Sequence, residues 1–231
     1  MKLLVIIPAY NEALNLSYVV NDIRENCPEF DYIIVNDGSK DNTVEVCREN
    51  NYRVLNLPIN LGLAGGVQAG LKYAYENGYD YALQFDGDGQ HQAKYIRVLL
   101  EYMQRHDVDI VIGSRFIDQR KPNTLRMFGS NFIQLIVKLT TGKIIKDPTS
   151  GMRLINRKIM MKFADSMNYG PEPDTISYLI RCGAKVNEVG VEMLERQAGE
   201  SYLNFKRSIQ YMIRMSMSII FIQFFRKKEK L

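Results

Sequence analysis

Asp86 and Asp88 stand one residue apart at the end of an apolar run, in Tyr81-Ala82-Leu83-Gln84-Phe85-Asp86-Gly87-Asp88-Gly89-Gln90-His91. The run has the length and bounded apolar character of a buried strand. At a strand tip two carboxylates repel each other, and a cation relieves the repulsion. Oxygen-only ligands suit Mg²⁺ or Mn²⁺, which bind through one or two carboxylates together with substrate phosphates. An Asp-x-Asp in this place reads as a point where a metal holds a diphosphate. The competing reading is a plain surface turn, because Asp-Gly is itself a turn signal. A calcium loop of the helix-loop-helix type is excluded. Counted from Asp86, its glycine and glutamate positions hold His91 and Arg97.

The elements that must carry these acids follow from the alternation of apolar runs with helix-period segments. Strands are expected over Leu3–Pro8, Tyr32–Val35, Arg53–Leu57, Tyr81–Phe85 and Asp109–Gly113. Helices are expected over Glu12–Asn26, Asp41–Asn50 (capped by Asp41 or Asn42), Gly62–Asn77 and Gln92–Arg105. This order predicts an α/β fold, a Rossmann-like, mostly parallel sheet with helices on both faces. Ligands of such sheets collect at the carboxyl ends of the strands. The polar tips at 8–12, 36–39, 86–90 and 113–115 all follow strands and should face one crevice. After Arg115 the pattern changes to a long apolar helix over Leu125–Thr141, a polar turn over 146–153, strand-like alternation over 184–194 and a loop over 195–201. The glycines at 62–66 lack the Gly-x-Gly-x-x-Gly spacing of a dinucleotide loop and do not follow the first strand.

A chain of 231 residues, 46% hydrophobic and 24% charged, can bury one good core. Its first apolar run is too short for a signal peptide and reads as a strand. Three widely spaced cysteines without a Cys-x-x-Cys point to a reducing compartment and away from a disulfide framework or zinc site. The net charge of +4 is unevenly placed. Residues 206–231 hold seven basic side chains and one acid, a net of +6, and the remaining 205 residues hold 23 basic and 25 acidic, a net of −2. A near-neutral body with a basic, apolar tail suits an anionic membrane surface, and no nucleic-acid-binding signature is present.

Several further motifs occur in order: Ile7-Pro8-Ala9-Tyr10-Asn11-Glu12, Val35-Asn36-Asp37-Gly38-Ser39-Lys40-Asp41-Asn42-Thr43, Asn60-Leu61-Gly62, the Asp86–His91 stretch, Gly113-Ser114-Arg115, Asp147-Pro148-Thr149-Ser150-Gly151-Met152-Arg153 and Arg196-Gln197-Ala198-Gly199-Glu200-Ser201. The series resembles the family 2 glycosyltransferases, which share the GT-A fold, and within them the dolichyl- or polyprenyl-phosphate sugar synthases. The resemblance covers roughly residues 3–205. It implies a nucleotide site of Pro8, Tyr10, Glu12, Asp37 and Asp86, with Asp37 on the base, and a metal site of Asp86, Asp88 and Gln90. It also implies that Arg115, Arg126 and Ser130 take the acceptor phosphate and that Arg196 helps hold phosphates. Asn36 departs from the family, which often has a second Asp there. The family places an acid on a helix near Gly170-Pro171-Glu172-Pro173-Asp174, where the prolines here disturb the pattern. Asp88, Arg115 and Asp174 are the expected catalytic residues.

The chemistry is consistent with these residue types. A divalent ion stabilises a nucleoside diphosphate leaving group, and attack from the opposite face inverts the anomeric centre. A phosphate monoester acceptor is already anionic and needs positioning, which arginines supply. A sugar hydroxyl acceptor would need a general base, for which Glu172, Asp174 or Asp147 are the candidates. Arg115 has the alternative of pairing with an acid at the sheet end, Arg126 that of an exposed helix residue, and His91 that of a hydrogen-bonded bystander.

The expectation is therefore a glycosyltransferase domain over 1–205 using Mg²⁺ or Mn²⁺. It would move a hexose from a UDP- or GDP-linked nucleoside diphosphate sugar to polyprenyl phosphate. The alternatives are transfer to a hydroxyl of a lipid-linked or cell-surface glycan, and a nucleotide-sugar-binding scaffold without turnover. The tail over 206–231 contains an apolar segment, Ile209–Phe225, whose helix would rise about 25 Å, short of a ~30 Å hydrocarbon core. It reads as an amphipathic helix lying on the membrane surface, at the cytoplasmic, inner face of the cell membrane, or bound to a small membrane-protein partner. The alternative is a helix packed on the protein's own core or on a second copy in a homo-oligomer.

Overall fold

The computed structural model describes residues 1–122, 124–165, 172–195 and 205–225. β1 (Leu3–Ala9) is buried at every position because it lies near the middle of the sheet with helices on both faces. β2 (Asp31–Asn36) and β3 (Val54–Asn56) extend the sheet on one side of it, parallel to it. On the other side β4 (Tyr81–Gln84) is parallel to β1. Beyond β4 come β6 (Arg153–Asn156), β5 (Ile110–Ser114) and β7 (Val186–Gly190), completing the order β3-β2-β1-β4-β6-β5-β7. β6 runs antiparallel to both neighbours, while β5 and β7 are parallel.

Alternate side chains feed two cores, as the period of a strand requires. Leu3, Val5 and Ile7 of β1 pack with α1 (Leu16–Asn26) and α4 (Lys94–His106). Leu4 and Ile6 face the other layer, built from α3 (Gly62–Glu76), α5 (Leu125–Thr141), α6 (Arg157–Asp165) and α7 (Pro173–Arg181). The small residues of α3 let it approach the sheet. A Cβ on Gly70 would lie 2.4 Å from Ile6 Cγ2, so that turn of helix rests directly on β1. α2 (Thr43–Glu49) follows β2; its cap residue is Asn42, but Asp41 supplies the carboxylate, accepting from Thr43 N–H at 3.1 Å.

Two elements differ from the sequence reading, and a third packs on the core as its alternative had it. β6 begins inside the stretch expected as a polar turn, at its last residue Arg153, which is buried where an arginine would be expected to be exposed. The prolines near Glu172 do not prevent a helix: Pro173 occupies the first position of α7, where its missing N–H has no partner to lose. α8 (Phe205–Phe225) lies against α5 and α7, burying Met215, Ser216 and Ile219, while Ile213, Met217, Ile220, Phe221 and Phe225 remain exposed. Gly129 of α5 makes that approach close; a Cβ there would collide with Met212 of α8. Among the described residues no helix is long and apolar enough to cross a membrane. The three cysteines are free and buried.

Candidate active site

Chain order reverses at β1, which continues to β2 on one side and reaches β4 on the other, and the carboxyl ends of these parallel strands share one edge of the sheet, the place where such sheets take their ligands. Pro8 lies within β1, level with Val35. Tyr10, just past the strand, is 38% exposed, so its ring is available to a ligand. Asn11 adopts φ 59°, a left-handed conformation that Asn tolerates. This turn is stitched to the one after β2. Asn11 N–H donates to Ser39 Oγ (3.0 Å), Lys40 N–H to Asn11 Oδ1 (2.8 Å) and Glu12 N–H to Thr43 Oγ1 (3.1 Å). The Glu12 carboxylate accepts from Asn15 Nδ2 at 2.6 Å.

Asp37 is buried at the end of β2. Its Oδ1 accepts the Leu61 N–H at 2.7 Å, just ahead of α3, and Asn60 Nδ2 donates to its carbonyl at 3.0 Å. Gly38 permits this contact: it has φ +65°, and a Cβ would lie 2.8 Å from Asn60 N. Burial raises the Asp37 pKa, against the pull of the Leu61 and Gly62 amides.

The two acids after β4 are held by neighbours of different kinds. Gln84 Nε2 donates to Asp86 Oδ1 at 2.9 Å. Buried His91 accepts the Asp86 N–H on Nδ1 at 2.9 Å, which assigns the proton of a neutral ring to Nε2, 3.6 Å from Asp86 Oδ2. Gly87 lies against the first strand; a Cβ would be 3.0 Å from the Pro8 carbonyl and 3.7 Å from Glu12 Cγ. Asp88 Oδ1 accepts the Gln90 N–H at 3.1 Å. The Gln90 side-chain amide donates to the Leu194 carbonyl at 3.3 Å, which ties this tip to the segment after β7.

Among the described residues no three His, Cys, Asp or Glu side chains are gathered into a metal cage. Asp86 and Asp88 offer only oxygens, and Gln84 Oε1, beside Asp86, is buried without a hydrogen-bond partner. That donor set fits a hard divalent cation whose other ligands are diphosphate oxygens and water.

The same edge of the sheet carries a cation after β5. Arg115 follows β5 and grips Asp147 with two bonds, Nε to Oδ2 at 2.7 Å and Nη2 to Oδ1 at 2.8 Å. Asp147 is fully buried. Burial works against the Arg115 charge, but the bonds to Asp147 hold the guanidinium ionised. The pairing of Arg115 with a sheet-end acid, the alternative read from sequence, is thus present. Ser130 faces inward from α5, and its hydroxyl accepts from Lys121 Nζ at 3.0 Å. The side chain of Arg126, and Arg196 entirely, lie outside the described residues.

Glu172 and Asp174 lie at the start of α7 and both meet α8. Arg214 pairs with Glu172 at 3.1 Å, and Ser218 Oγ donates to Asp174 Oδ2 at 2.6 Å. Burial raises the Glu172 pKa and Arg214 pulls it back.

Three residues at the site were not singled out by the sequence. Gly151 packs on the acid pair; a Cβ there would sit 2.2 Å from Asp86 Oδ2. Arg153, 1% exposed, donates to the carbonyls of Ser150 (2.9 Å) and Pro148 (2.8 Å), pinning the loop that presents Gly151. Lys121 holds Ser130. The first two lie in the Asp147–Arg153 motif, so spacing carried a signal for the segment but not for these roles. Lys121 carried none.

Comparison with known proteins follows the same lines. The profile of the family described as Glycosyl transferase family 2 matches residues 4–163. An undecaprenyl-phosphate mannosyltransferase of Micrococcus luteus is 31% identical over 217 residues, 88% of this chain and 88% of its own. A polyprenol monophosphomannose synthase of Mycolicibacterium smegmatis is 29% identical over 216 residues, 88% of this chain and 81% of its own. Among solved structures, glucosyl-3-phosphoglycerate synthase of Mycobacterium tuberculosis, in complex with Mn²⁺ and UDP-glucose, superposes with a TM-score of 0.67 at 14% identity, over 96% of this chain and 78% of that one. That likeness bears on the fold, which is GT-A.

Proposed function

The chain belongs to glycosyl transferase family 2 and is a glycosyltransferase, and from that premise we propose that it transfers a hexose from a nucleoside diphosphate sugar to polyprenyl phosphate, with inversion at the anomeric carbon. The observation that carries the choice of acceptor is the state of the acids. A hydroxyl acceptor needs a general base within hydrogen-bond reach. The three candidates are each committed: Asp147 to Arg115, Glu172 to Arg214 and Asp174 to Ser218. A phosphate monoester needs no base, only cations, and these stand beyond β5.

Asp37 and Tyr10 bind the base and ribose side of the donor. Asp86 and Asp88, with Gln90 beside them, would hold Mg²⁺ or Mn²⁺ at the diphosphate, where the ion supplies electrostatic stabilisation to the leaving group. His91, Gln84 and Gly151 fix Asp86 against its backbone, its carboxylate and its open side. Arg115 and Ser130 face the acceptor phosphate, together with Arg126 and Arg196 by their place in the sequence motifs. Residues 1–205 act as the transferase domain. One named relative is an undecaprenyl-phosphate mannosyltransferase and the other a polyprenol monophosphomannose synthase, which supports the acceptor class.

The protein works at the cytoplasmic face of a membrane. Phe128, Phe132, Leu135 and Leu139 form an exposed stripe on α5 with the i, i+4, i+7, i+11 spacing of one helix face, and the exposed apolar side chains of α8 lie on the helix packed beside it. The basic residues of 226–231 follow directly. The test is an acceptor panel: labelled UDP- and GDP-sugars with Mn²⁺, offered polyprenyl phosphate, a lipid-linked glycan and water. Label on polyprenyl phosphate supports the reading. Label on glycan alone, or hydrolysis alone, overturns it.

A further inference from the structure

Lys121 is an unusual cation. It lies in the 115–124 connection between β5 and α5, partly buried. Its Nζ donates to Ser130 Oγ at 3.0 Å and to Gln134 Oε1 at 3.1 Å, both neutral. Among the described residues no carboxylate lies within ion-pair distance of it. An ammonium group has three donors and a full charge, so among the described residues one donor and the charge have no matching acceptor. The second cation nearby differs. Arg115 is bonded through Nε and Nη2 to Asp147 and, at 3.3 Å, to Thr149 Oγ1, so a carboxylate already balances its charge. Both cations rest on one ring, Arg115 Cζ 5.2 Å and Lys121 Nζ 5.3 Å from the centroid of Phe116. Burial and the neighbouring Arg115 both push the Lys121 pKa down, against the pull of Asp147 and Glu188. An ammonium kept in such a place without its own counter-ion is stabilised by any anion that arrives there.

Building on the acceptor reading above, we propose that Lys121 is a further cation that captures the acceptor's phosphate, with Ser130 and Gln134 holding its Nζ ready, beside Arg115, which stays locked to Asp147. The geometry supports a lipid phosphate in particular. Ser130 is buried on α5 and Gln134 half-buried, whereas Phe128 and Phe132 of the same helix face solvent. A headgroup at Lys121 can therefore sit beneath a helix whose outer side offers apolar contact to its chain.

The test uses the full chain with polyprenyl phosphate, comparing Lys121→Gln and Lys121→Arg with wild type. Loss of a charge-assisted hydrogen bond to phosphate raises KM for the acceptor about tenfold or more in Lys121→Gln. KM for the nucleotide sugar and the melting temperature stay near wild type, and Lys121→Arg recovers most of the acceptor affinity. An unchanged acceptor KM in Lys121→Gln overturns the proposal. So does a parallel fall in donor affinity and melting temperature, which marks a structural role. Both arms require that wild type glycosylates polyprenyl phosphate; if it transfers only to another acceptor, the functional reading itself fails, and the proposal with it.

Discussion

Replacing Gly151 by Ala probes the acid pair without touching either acid. The added Cβ would lie 2.2 Å from Asp86 Oδ2, 2.8 Å from its Cγ and 2.9 Å from Oδ1. A relaxed carbon–oxygen contact needs about 1 Å more. Gly151 itself cannot retreat easily, because Arg153 pins the carbonyls of Ser150 and Pro148. The Asp86 carboxylate must swing away and lose its bond from Gln84 Nε2. Overpacking of this kind costs about 1–3 kcal/mol of stability, and the lost hydrogen bond about 1 kcal/mol of that order again. A carboxylate misplaced by about 1 Å lowers turnover about 100-fold. The expected result is a folded protein, less stable to urea by about 2–4 kcal/mol, with kcat reduced about 100-fold and a higher Mn²⁺ concentration needed for half-maximal rate. Turnover within twofold of wild type at the same Mn²⁺ requirement would falsify the placing of Asp86 at the reacting diphosphate.

Other perturbations probe other parts of the site. Asp88→Ala should lower transfer at least about 10²-fold while leaving thermal stability nearly unchanged, checked by initial rates and melting. Asp37→Asn keeps an acceptor for the Leu61 N–H but removes a buried charge, so it should melt no lower than wild type while binding UDP or GDP more weakly in calorimetry. Glu172 has a folded-state pKa raised above its ordinary 4.5, so the folded state takes up a proton and stability falls as pH rises through the window between 4.5 and the raised value. Arg214→Ala should extend that window upward, read from melting temperature against pH. Phe128→Asp with Phe221→Asp should weaken binding to vesicles of anionic phospholipid at least about tenfold; equal binding would remove α5 and α8 from the membrane contact.

The first half of the chain was legible because each buried strand is an apolar run and each rim motif follows one. β1, β2, β4 and β5 fall within a few residues of their expected bounds. The Asp37 and Asp86 tips do lie at the same edge of the sheet, after β2 and β4 on either side of β1. β6 was not legible, because a strand of four residues beginning with a buried arginine has no periodic signature. The burial of Arg153 is a tertiary fact: its guanidinium is satisfied by carbonyls of a loop whose path the sequence does not give. The tight fit of Gly151 on Asp86 and the Lys121–Ser130 contact are likewise meetings of distant segments. α8 was ambiguous for a different reason. It is apolar on more than one face, and only its neighbours decide that Met215 and Ile219 turn to α5 and α7 while Ile213 and Met217 stay outside.

The central claim is that the acids at the tip of β4 and an incoming diphosphate complete one metal site between them. Titrating Mn²⁺ into the full chain, with and without UDP or GDP, and following free Mn²⁺ by its magnetic resonance signal measures that linkage. Mn²⁺ should bind weakly to the protein alone and much more tightly with a nucleoside diphosphate, and Asp88→Asn should lose that gain. Mn²⁺ affinity that is indifferent to the nucleotide, or unchanged in Asp88→Asn, would contradict the claim.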